Sequence, residues 1–192
     1  MAHRFDPAEM DRLLAPDRRQ WLDPARILGI LGLREGMTLL DVGCGPGYFA
    51  LEAARRVAPA GKVYGVDVSE EMLARLRERA AAAGAENLVP VLAEEEDEYP
   101  VPSASCDAAL LVDVYHEVDP ASGFLGEIRR ILKPGAQVLV VDWKPEPTPL
   151  GPPVPQRIAP EDVVEEMTWS GYEFLGPQEV GPYHYGLLFR RP

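Results

Sequence analysis

The stretch "LLDVGCGPGYFA", residues 39–50, decides the fold. An apolar run containing Asp41 leads into three glycines within five residues, Gly43, Gly45 and Gly47. This pattern is typical of a strand that turns tightly into a helix, where backbone N–H groups can approach a nucleotide-like ligand. A tight turn without a ligand would use the same residues. Glycine spacing leaves the ligand open, because residues 45–50 also fit the dinucleotide pattern G-x-G-x-x-A, although no Gly-Lys-Ser/Thr follows as a P-loop requires.

The acid beside this turn narrows the choice of ligand. A carboxylate at Asp41 would oppose a pyrophosphate, whereas it would favour a ligand that carries an ammonium or sulfonium group. Asp67 ends the second predicted strand, where an acid can accept hydrogen bonds from both ribose hydroxyls. The sequence therefore predicts a nucleoside ligand with a cationic end.

Short apolar runs alternate with helical stretches along the chain, which is typical of βαβ units and a largely parallel sheet. One or two helices are predicted over residues 12–33, and residues 1–35 are expected to cover the sheet. The predicted strands are residues 38–42, 62–66, 88–92, 108–112, 137–142, 172–175 and 185–190. The predicted helices after the first strand are residues 48–57, 69–84, one on the stripe Phe124, Ile128 and Leu132, and 160–170. The last two strands have no helix between them, so we expect them to be antiparallel.

Composition limits the class of protein. The 192 residues are 46% hydrophobic and 26% charged, which suits one soluble domain spanning residues 1–192. No apolar run approaches the length that crosses a bilayer, no secretory signal is recognisable, and a cytoplasmic location is the expectation. The formal charge of −12 disfavours nucleic acid as a partner. Two cysteines, Cys44 and Cys106, form neither a disulfide framework nor a metal-ligand pattern, so we expect no metal.

Four motifs carry a resemblance to a known family: "LLDVGCGPG", "VYGVDVSEEML", "EEEDEYPVPSASCDAALLVDVYHEV" and "LKPGAQVLVVDW". In this order and at these separations the chain, over roughly residues 25 to 190, resembles the small single-domain class I S-adenosylmethionine-dependent methyltransferases of type 11. The resemblance implies an α/β, Rossmann-like three-layer sandwich. Its seven-stranded, mostly parallel sheet would have the order 3-2-1-4-5-7-6, with the last strand antiparallel. It also implies S-adenosyl-L-methionine as cofactor and S-adenosyl-L-homocysteine as product.

The resemblance assigns cofactor-binding roles along the chain. The methionine part of the cofactor is expected at the glycine turn, the ribose at the end of the second strand, and adenine after the third strand. The adenine acid is expected at Glu95, with the backbone of Glu96 beside it, but the run Glu94–Glu98 leaves its register open. The expected cofactor-binding residues are Asp41, Gly43, Cys44, Gly45, Gly47, Asp67, Val68, Met72, Glu95, Glu96 and Asp113. Met72 could equally be a core residue.

The segment after the fourth strand holds the candidate catalytic residues. His116 is the expected general base or substrate contact, with Tyr115 as a second candidate, although each could instead be structural. A base is needed only where the nucleophile is protonated, as in a hydroxyl or a weakly acidic carbon. The segment lacks the Asn/Asp-Pro-Pro-Tyr/Phe motif that related enzymes use on amide or nucleobase nitrogens.

A proline-rich loop over residues 144–160 is expected on the substrate side. Arg157 near its end could bind a carboxylate or phosphate of the substrate, or pair with Glu161 or Asp162. Tyr183, His184 and Tyr185 could face either the pocket or solvent.

The leading hypothesis is methyl transfer to a small-molecule acceptor, and the oligomeric state stays open. A protein side chain is the alternative acceptor. Two further hypotheses are an NAD(P)-dependent Rossmann oxidoreductase, which Asp41 disfavours, and a module that binds S-adenosylmethionine without catalysis.

Overall fold

The structure, a computed structural model, describes residues 10–93, 98–118 and 123–192. The strands are β1 Thr38–Val42, β2 Lys62–Asp67, β3 Leu88–Leu92, β4 Cys106–Val112, β5 Leu132–Trp143, β6 Glu173–Gln178 and β7 His184–Arg190. The helices are α1 Met10–Leu13, α2 Arg18–Trp21, α3 Pro24–Ile30, α4 Ala50–Val57, α5 Glu70–Ala83, α6 Phe124–Ile131 and α7 Pro160–Trp169. Short 3₁₀ turns occupy Tyr115–Glu117 and Val154–Gln156.

The strands form one seven-stranded sheet in the order β3-β2-β1-β4-β5-β7-β6. Strands β1 to β5 pair in parallel, while β7 runs antiparallel to both of its neighbours, β5 and β6. This confirms the predicted fold class, including the antiparallel last strand.

Helices cover both faces of the sheet. Neighbouring residues on a strand point to opposite faces, so an apolar run makes both faces apolar and each is buried by helices. Leu39 belongs to the core cluster that includes residues of α3, α4 and α5. Leu40 belongs to the other cluster, which includes residues of α6 and α7. Both residues are fully buried, so the apolar run before the glycine turn supplies both cores at once.

Five strands differ from their predicted bounds, and two of them, β5 and β6, differ by more than two residues at one end. β5 begins at Leu132 instead of residue 137, because Leu132 pairs with Cys106 ahead of a register shift. Leu132 therefore belongs to this strand and not to the helix before it. β6 begins at Glu173 and continues to Gln178 through a bulge between Phe174 and Gly176, a local irregularity that alternation of residue type does not predict.

The N-terminal segment forms three short helices where one or two were predicted. The last of them, α3, begins at Pro24, and the Asp23 side chain caps it by accepting a hydrogen bond from the Ala25 N–H. Leu22, Ile27 and Leu28 are fully buried in the core that α4 shares. Within the described ranges, no helix has the length and apolar character that crossing a membrane requires.

The last glycine of the turn is a packing position. Gly47 has φ +83°, and a Cβ built there would lie 2.3 Å from Cδ1 of Leu76 on α5. We expect Gly47→Ala to lower the free energy of unfolding by about 1–3 kcal/mol, because the left-handed backbone and the displaced leucine both add strain. Urea denaturation measures this change.

Gly126 provides the matched control. It lies inside α6 with nothing within 4 Å of a built Cβ. Gly126→Ala should be neutral or stabilise by up to about 1 kcal/mol, since alanine is the better helix former. Equal effects at the two positions would contradict the packing role of Gly47.

Candidate functional site

A cleft of about 870 Å³ opens at the carboxyl ends of the parallel strands. We call it the edge cleft. It lies where strand order reverses between β1 and β4, the position at which open α/β sheets bind ligands. Its lining includes the glycine-turn residues Gly43, Cys44 and Gly45. Residues at the carboxyl ends of β2, β4 and β5 and from the N-terminal segment also line it. Its volume is near the upper end of the range for small-molecule sites.

Asp41 is a buried carboxyl at the inner wall of the edge cleft. Its Oδ2 atom has no hydrogen-bond partner among the described residues, and the side chain is only 2% exposed. Burial, reinforced by the charge of Asp67, raises the pKa of Asp41 from 3.8 to about 8, against the lowering effect of Arg18. A buried acid with an unused oxygen fits a cationic group in the cleft, since a cation would compensate its charge.

Asp67 is held by the backbone. Its Oδ2 accepts a hydrogen bond from the Gly45 N–H at 2.8 Å, and its Oδ1 accepts one from the Ser69 N–H at 2.9 Å. Burial raises the pKa of Asp67, while these N–H donors act in the opposite direction. Each oxygen retains acceptor capacity toward the cleft, so the carboxylate can receive two hydroxyl groups.

The three glycines of the turn have different surroundings. A Cβ at Gly43 would lie 2.2 Å from Cγ2 of Val114, and Gly45 lines the edge cleft. Gly47, as described above, packs against α5 and is not among the lining residues. Burial raises the pKa of Cys44 well above its usual value, so this cleft-lining thiol stays protonated.

The expected adenine side is only partly described. Val68 and Met72 line the edge cleft, and Met72 is 4% exposed near the start of α5. The Met72 N–H donates to Oγ of Ser69, the helix cap. Glu95 and Glu96 lie outside the described residues.

Asp113 joins three segments that are distant in sequence. It has φ 59° and lines the edge cleft directly after β4. Arg18 donates from Nη2 to Oδ2 at 3.0 Å, and Nε2 of His184 lies 2.9 Å from Oδ1. Burial favours the neutral acid, but His184 and Arg18 outweigh it and hold the pKa of Asp113 below its usual value.

His116 pairs with an acid on β5. Its Nδ1 lies 2.8 Å from Oδ1 of Asp142, which is fully buried. Backbone N–H groups of His116 and Trp143 also donate to this carboxylate, so the ring nitrogen facing it is the donor. Burial alone would lower the pKa of His116, but Asp142 and Glu117 raise it above its ordinary value. Nε2 is then the ring nitrogen that can accept a proton at the edge cleft, which His116 lines, and Oε1 of Glu117 lies 3.8 Å from it.

Tyr115 lies outside the edge cleft. Its ring is 2% exposed in the core, and its hydroxyl donates to Oε2 of Glu166 on α7 at 2.9 Å. Burial, with Glu166, raises the pKa of this phenol strongly. The structure therefore separates the two neighbouring catalytic candidates, with His116 at the cleft and Tyr115 in the packing between sheet and helix.

Arg157 holds the proline-rich loop together. Its guanidinium donates to the carbonyl oxygens of Pro152, Lys144, Glu146 and Leu150 at 2.8–3.2 Å. Its Cζ also lies 5.4 Å from the centre of the Trp143 ring. The expected substrate contact does not correspond to this geometry, because Arg157 is not among the lining residues and its donors are used by carbonyls. The loop that it organises does line the cleft, through Leu150, Gly151, Pro152 and Pro153.

Several site residues were not predicted from the sequence. Arg18 and Trp21 come from α2, and Asp142 and Trp143 end β5. His184, whose direction was left open, packs its ring 4.1 Å from Trp143 and 5.7 Å from Trp21, centroid to centroid. One sequence signal was available for Asp142, since an acid near the end of a parallel strand falls on the same edge as Asp41 and Asp67.

Among the described residues, no cluster of three or more His, Cys, Asp or Glu side chains has the arrangement of a metal site. The polar groups of the edge cleft instead suit an organic ligand. Such an α/β sheet, with a glycine turn and strand-end acids around a cleft at the switch point, defines the class of nucleoside-binding Rossmann-like proteins.

Comparison with known proteins identifies the family within this class. Residues 40–140 match the family described as "Methyltransferase domain" (Methyltransf_11). The chain belongs to this methyltransferase family.

Full-length and partial relatives agree with this assignment. The chain is 33% identical to a SAM-dependent methyltransferase from Aquifex aeolicus, whose crystal structure it matches with a TM-score of 0.94 over 98% of this chain and 100% of that one. It is 32% identical over 152 residues to the ubiquinone/menaquinone biosynthesis C-methyltransferase UbiE of Bordetella parapertussis, covering 79% of this chain and 57% of the relative. It is 33% identical over 128 residues to 27-O-demethylrifamycin SV methyltransferase of Amycolatopsis mediterranei, covering 66% of this chain and 46% of the relative. The chain thus spans about half the length of the curated relatives that it matches.

The buried carboxyl of Asp41 makes a testable contribution to stability. Its pKa is raised in the folded protein, so its stabilising contribution is full below pH 3.8 and is lost as pH rises toward 8. Asp41→Asn lacks this titration. Without ligand, we therefore expect the unfolding free energy of the variant minus that of the parent to increase with pH across this range, by up to about 1.4 kcal/mol per pH unit.

Urea denaturation at a series of pH values measures this difference, because all other titrating groups are common to both proteins. Asp162→Asn, at an exposed carboxyl on α7, is the control and should change little relative to the parent. Parallel pH profiles for Asp41→Asn and the parent would contradict the burial argument.

Proposed function

We propose that this protein transfers the methyl group of S-adenosyl-L-methionine to a small-molecule acceptor whose nucleophile is protonated before reaction. The single observation that carries the proposal is the pair His116–Asp142 at the edge cleft, whose lining also includes the glycine turn and its acids. A bound S-adenosylmethionine supplies an electrophilic methyl group on a sulfonium. The residues of this chain bind it, orient the acceptor and remove a proton.

The cofactor side of the edge cleft offers complementary groups. Asp67 has acceptor capacity for the ribose hydroxyls, and Asp41 supplies negative charge behind the glycine turn for the cationic end. Gly43 and Gly45 line the edge cleft without side chains, so a ligand can approach their backbone. Val68 and Met72 offer apolar contacts to the adenine face. Glu95 and Glu96 are proposed for the adenine amino group from the family resemblance alone.

The acceptor side of the edge cleft is mainly apolar. Its lining residues include Phe124, Val118, Trp143, Leu150, Pro152 and Pro153. Apolar and aromatic walls with few polar groups suit a small organic molecule whose reacting face carries no charge. The relatives named above, a C-methyltransferase of quinone biosynthesis and a rifamycin methyltransferase, support an acceptor of this kind.

His116 is proposed as the general base. Asp142 holds the proton on Nδ1, so Nε2 of the neutral ring can accept a proton from an acceptor hydroxyl or an acidic carbon. Loss of this proton would leave the acceptor atom nucleophilic toward the methyl group that the cofactor would supply when bound. Asp142 does not touch the acceptor and acts as a positioning residue that also stabilises the imidazolium.

A protein side chain remains the second acceptor hypothesis, and a binding module without catalysis remains the second class of function. An oxidoreductase is disfavoured by Asp41, because a dinucleotide pyrophosphate offers no cation to compensate this buried acid. Location in the cytoplasm stays an expectation, and the acidic composition disfavours a nucleic-acid partner.

Cofactor binding is tested by calorimetry with S-adenosylhomocysteine. The parent protein should bind it, and Asp67→Ala should weaken binding at least about tenfold, since a charged hydrogen-bond partner to two hydroxyls is lost. Asp107→Ala is the control, because Asp107 pairs with Lys133 and the Thr38 N–H outside the lining of the edge cleft. Response to NADH in place of S-adenosylhomocysteine would contradict the proposal.

The base is tested with radiolabelled S-adenosylmethionine and a panel of phenols, hydroquinols and other hydroxylated small molecules. His116→Gln should lower kcat about 10²- to 10⁴-fold with S-adenosylhomocysteine affinity preserved, because a positioned base contributes on this scale. The pKa of His116 is raised, so the parent rate should climb with pH through a value above 6.5 and level off where the ring is neutral.

Tyr115→Phe is the matched neighbour, since it removes only the buried hydroxyl bonded to Glu166. It should lower stability by about 1 kcal/mol without changing the pH profile. Turnover by His116→Gln at the parent rate would exclude His116 as the base, and cofactor binding without turnover on any acceptor would favour the binding module.

A further inference from the structure

Arg18 is a buried cation inside the edge cleft that the roles assigned so far leave unused. It lies on α2, is 5% exposed and lines the cleft. Its Cζ lies 4.6 Å from the ring centre of Tyr48 and 5.9 Å from that of Phe49, two residues that follow the glycine turn and also line the cleft. The N-terminal segment therefore places a positive charge beside the turn that is proposed to hold the cofactor.

The hydrogen bonds of Arg18 use only part of its guanidinium. Nη1 donates to the carbonyl of Leu13 at 2.9 Å, and Nη2 donates to Asp113. Nε is buried without a hydrogen-bond partner among the described residues. A guanidinium carries five N–H donors, and leaving a buried donor unpaired costs about 1–3 kcal/mol. The arrangement has donor capacity for one further acceptor group.

The surrounding charges determine which acceptor group fits. The described lining of the edge cleft contains five acids, Asp17, Asp41, Asp67, Asp113 and Glu117, and two cations, Arg12 and Arg18. Arg12 is exposed, whereas Arg18 is buried, where its field is less screened by water. An anionic group entering this acidic cleft is therefore stabilised most strongly at Arg18, and a planar carboxylate matches its donor geometry.

Arg18 and Asp41 also lie close enough to interact, since the charge of Arg18 stabilises the ionised form of Asp41. Together they present one positive and one negative group beside the glycine turn. An α-amino acid carries the complementary pair, an ammonium and a carboxylate on the same carbon. The cofactor of the proposed function ends in such a group.

We propose that Arg18 binds the α-carboxylate of the methionine part of the cofactor. This inference rests on the proposed function, because it assigns one end of the same ligand. Arg18 bridges the carboxylate and Asp113 with different N–H groups, so α2 becomes part of the cofactor site and not only a cover on the sheet.

The experiment compares three ligands by calorimetry. S-adenosylhomocysteine has the whole amino-acid end, its decarboxylated analogue keeps the amine and lacks the carboxylate, and 5′-methylthioadenosine lacks both. The parent should bind S-adenosylhomocysteine about 10- to 100-fold more tightly than the decarboxylated analogue, the usual range for a charge-assisted hydrogen bond. Arg18→Gln should bind S-adenosylhomocysteine about 10- to 100-fold more weakly than the parent does. Its affinity for the other two ligands should change less than about threefold.

Two further variants make the result specific. Arg18→Lys keeps the charge without the planar fork, and we expect a selective loss of about tenfold for S-adenosylhomocysteine. It also serves if Arg18→Gln fails to fold. Arg12→Gln removes the exposed arginine of the same cleft and should leave the ratio between the ligands unchanged.

The outcomes separate this inference from the proposed function. Equal losses for all three ligands in the Arg18 variants would mean that Arg18 only stabilises the fold, and would overturn the inference. Selective loss in Arg12→Gln instead of the Arg18 variants would also overturn it. A parent protein that binds neither S-adenosylhomocysteine nor 5′-methylthioadenosine would contradict the proposed function itself.

Discussion

Parallel pairing of β2, β1, β4 and β5 brings four aspartates to one edge of the sheet. Asp67 ends β2, Asp41 lies one residue before the end of β1, Asp113 follows β4, and Asp142 lies one residue before the end of β5. Carboxylates gathered in a partly buried place repel one another and lose hydration, so each needs its own compensation. The surrounding structure can be understood from how that compensation is supplied.

Each of the four aspartates is compensated in a different way. Asp67 is stabilised by backbone N–H groups of the glycine turn and of the start of α5. Asp113 is paired with Arg18 and His184, and Asp142 with His116 and two backbone N–H groups. Asp41 alone keeps an unpartnered oxygen, and its raised pKa shows that burial favours the neutral form in the absence of a cation. The three compensated acids are preorganised, whereas the fourth is left for a ligand to compensate.

The sequence predicts the part of this arrangement that depends on local pattern. β1 and β3 have their predicted bounds because each is a short apolar run next to a clear break, and the sheet order follows from motifs that resemble a known family. Asp41 and Asp67 could be singled out because each stands at the end of such a run. Arg18 could not, since its partner Asp113 is 95 residues away and an arginine in a short polar helix has no local signature.

Arg157 also shows that tertiary contacts cannot be predicted from local sequence, here for a residue that the sequence did single out. A cation near the end of a proline-rich loop looks available to a substrate, but prolines leave many carbonyl oxygens without a local N–H donor. The guanidinium donates hydrogen bonds to four carbonyl oxygens of the loop, and the Trp143 ring packs against it. The chemistry of the residue was visible in the sequence, while the competing acceptors appear only after the loop has folded.

Compensation of charge also links the two halves of the edge cleft. Asp113 and His116 are three residues apart, and Asp113 contributes to the raised pKa of His116. Arg18 therefore interacts with two acids. One is Asp41, which a cofactor ammonium would compensate, and the other is Asp113, which influences the proposed base. A ligand carboxylate bound through the unpaired Nε would share the guanidinium with Asp113, which keeps its bond from Nη2. The cofactor side and the acceptor side are thus linked by one series of paired charges, because four strand ends share one edge of the sheet.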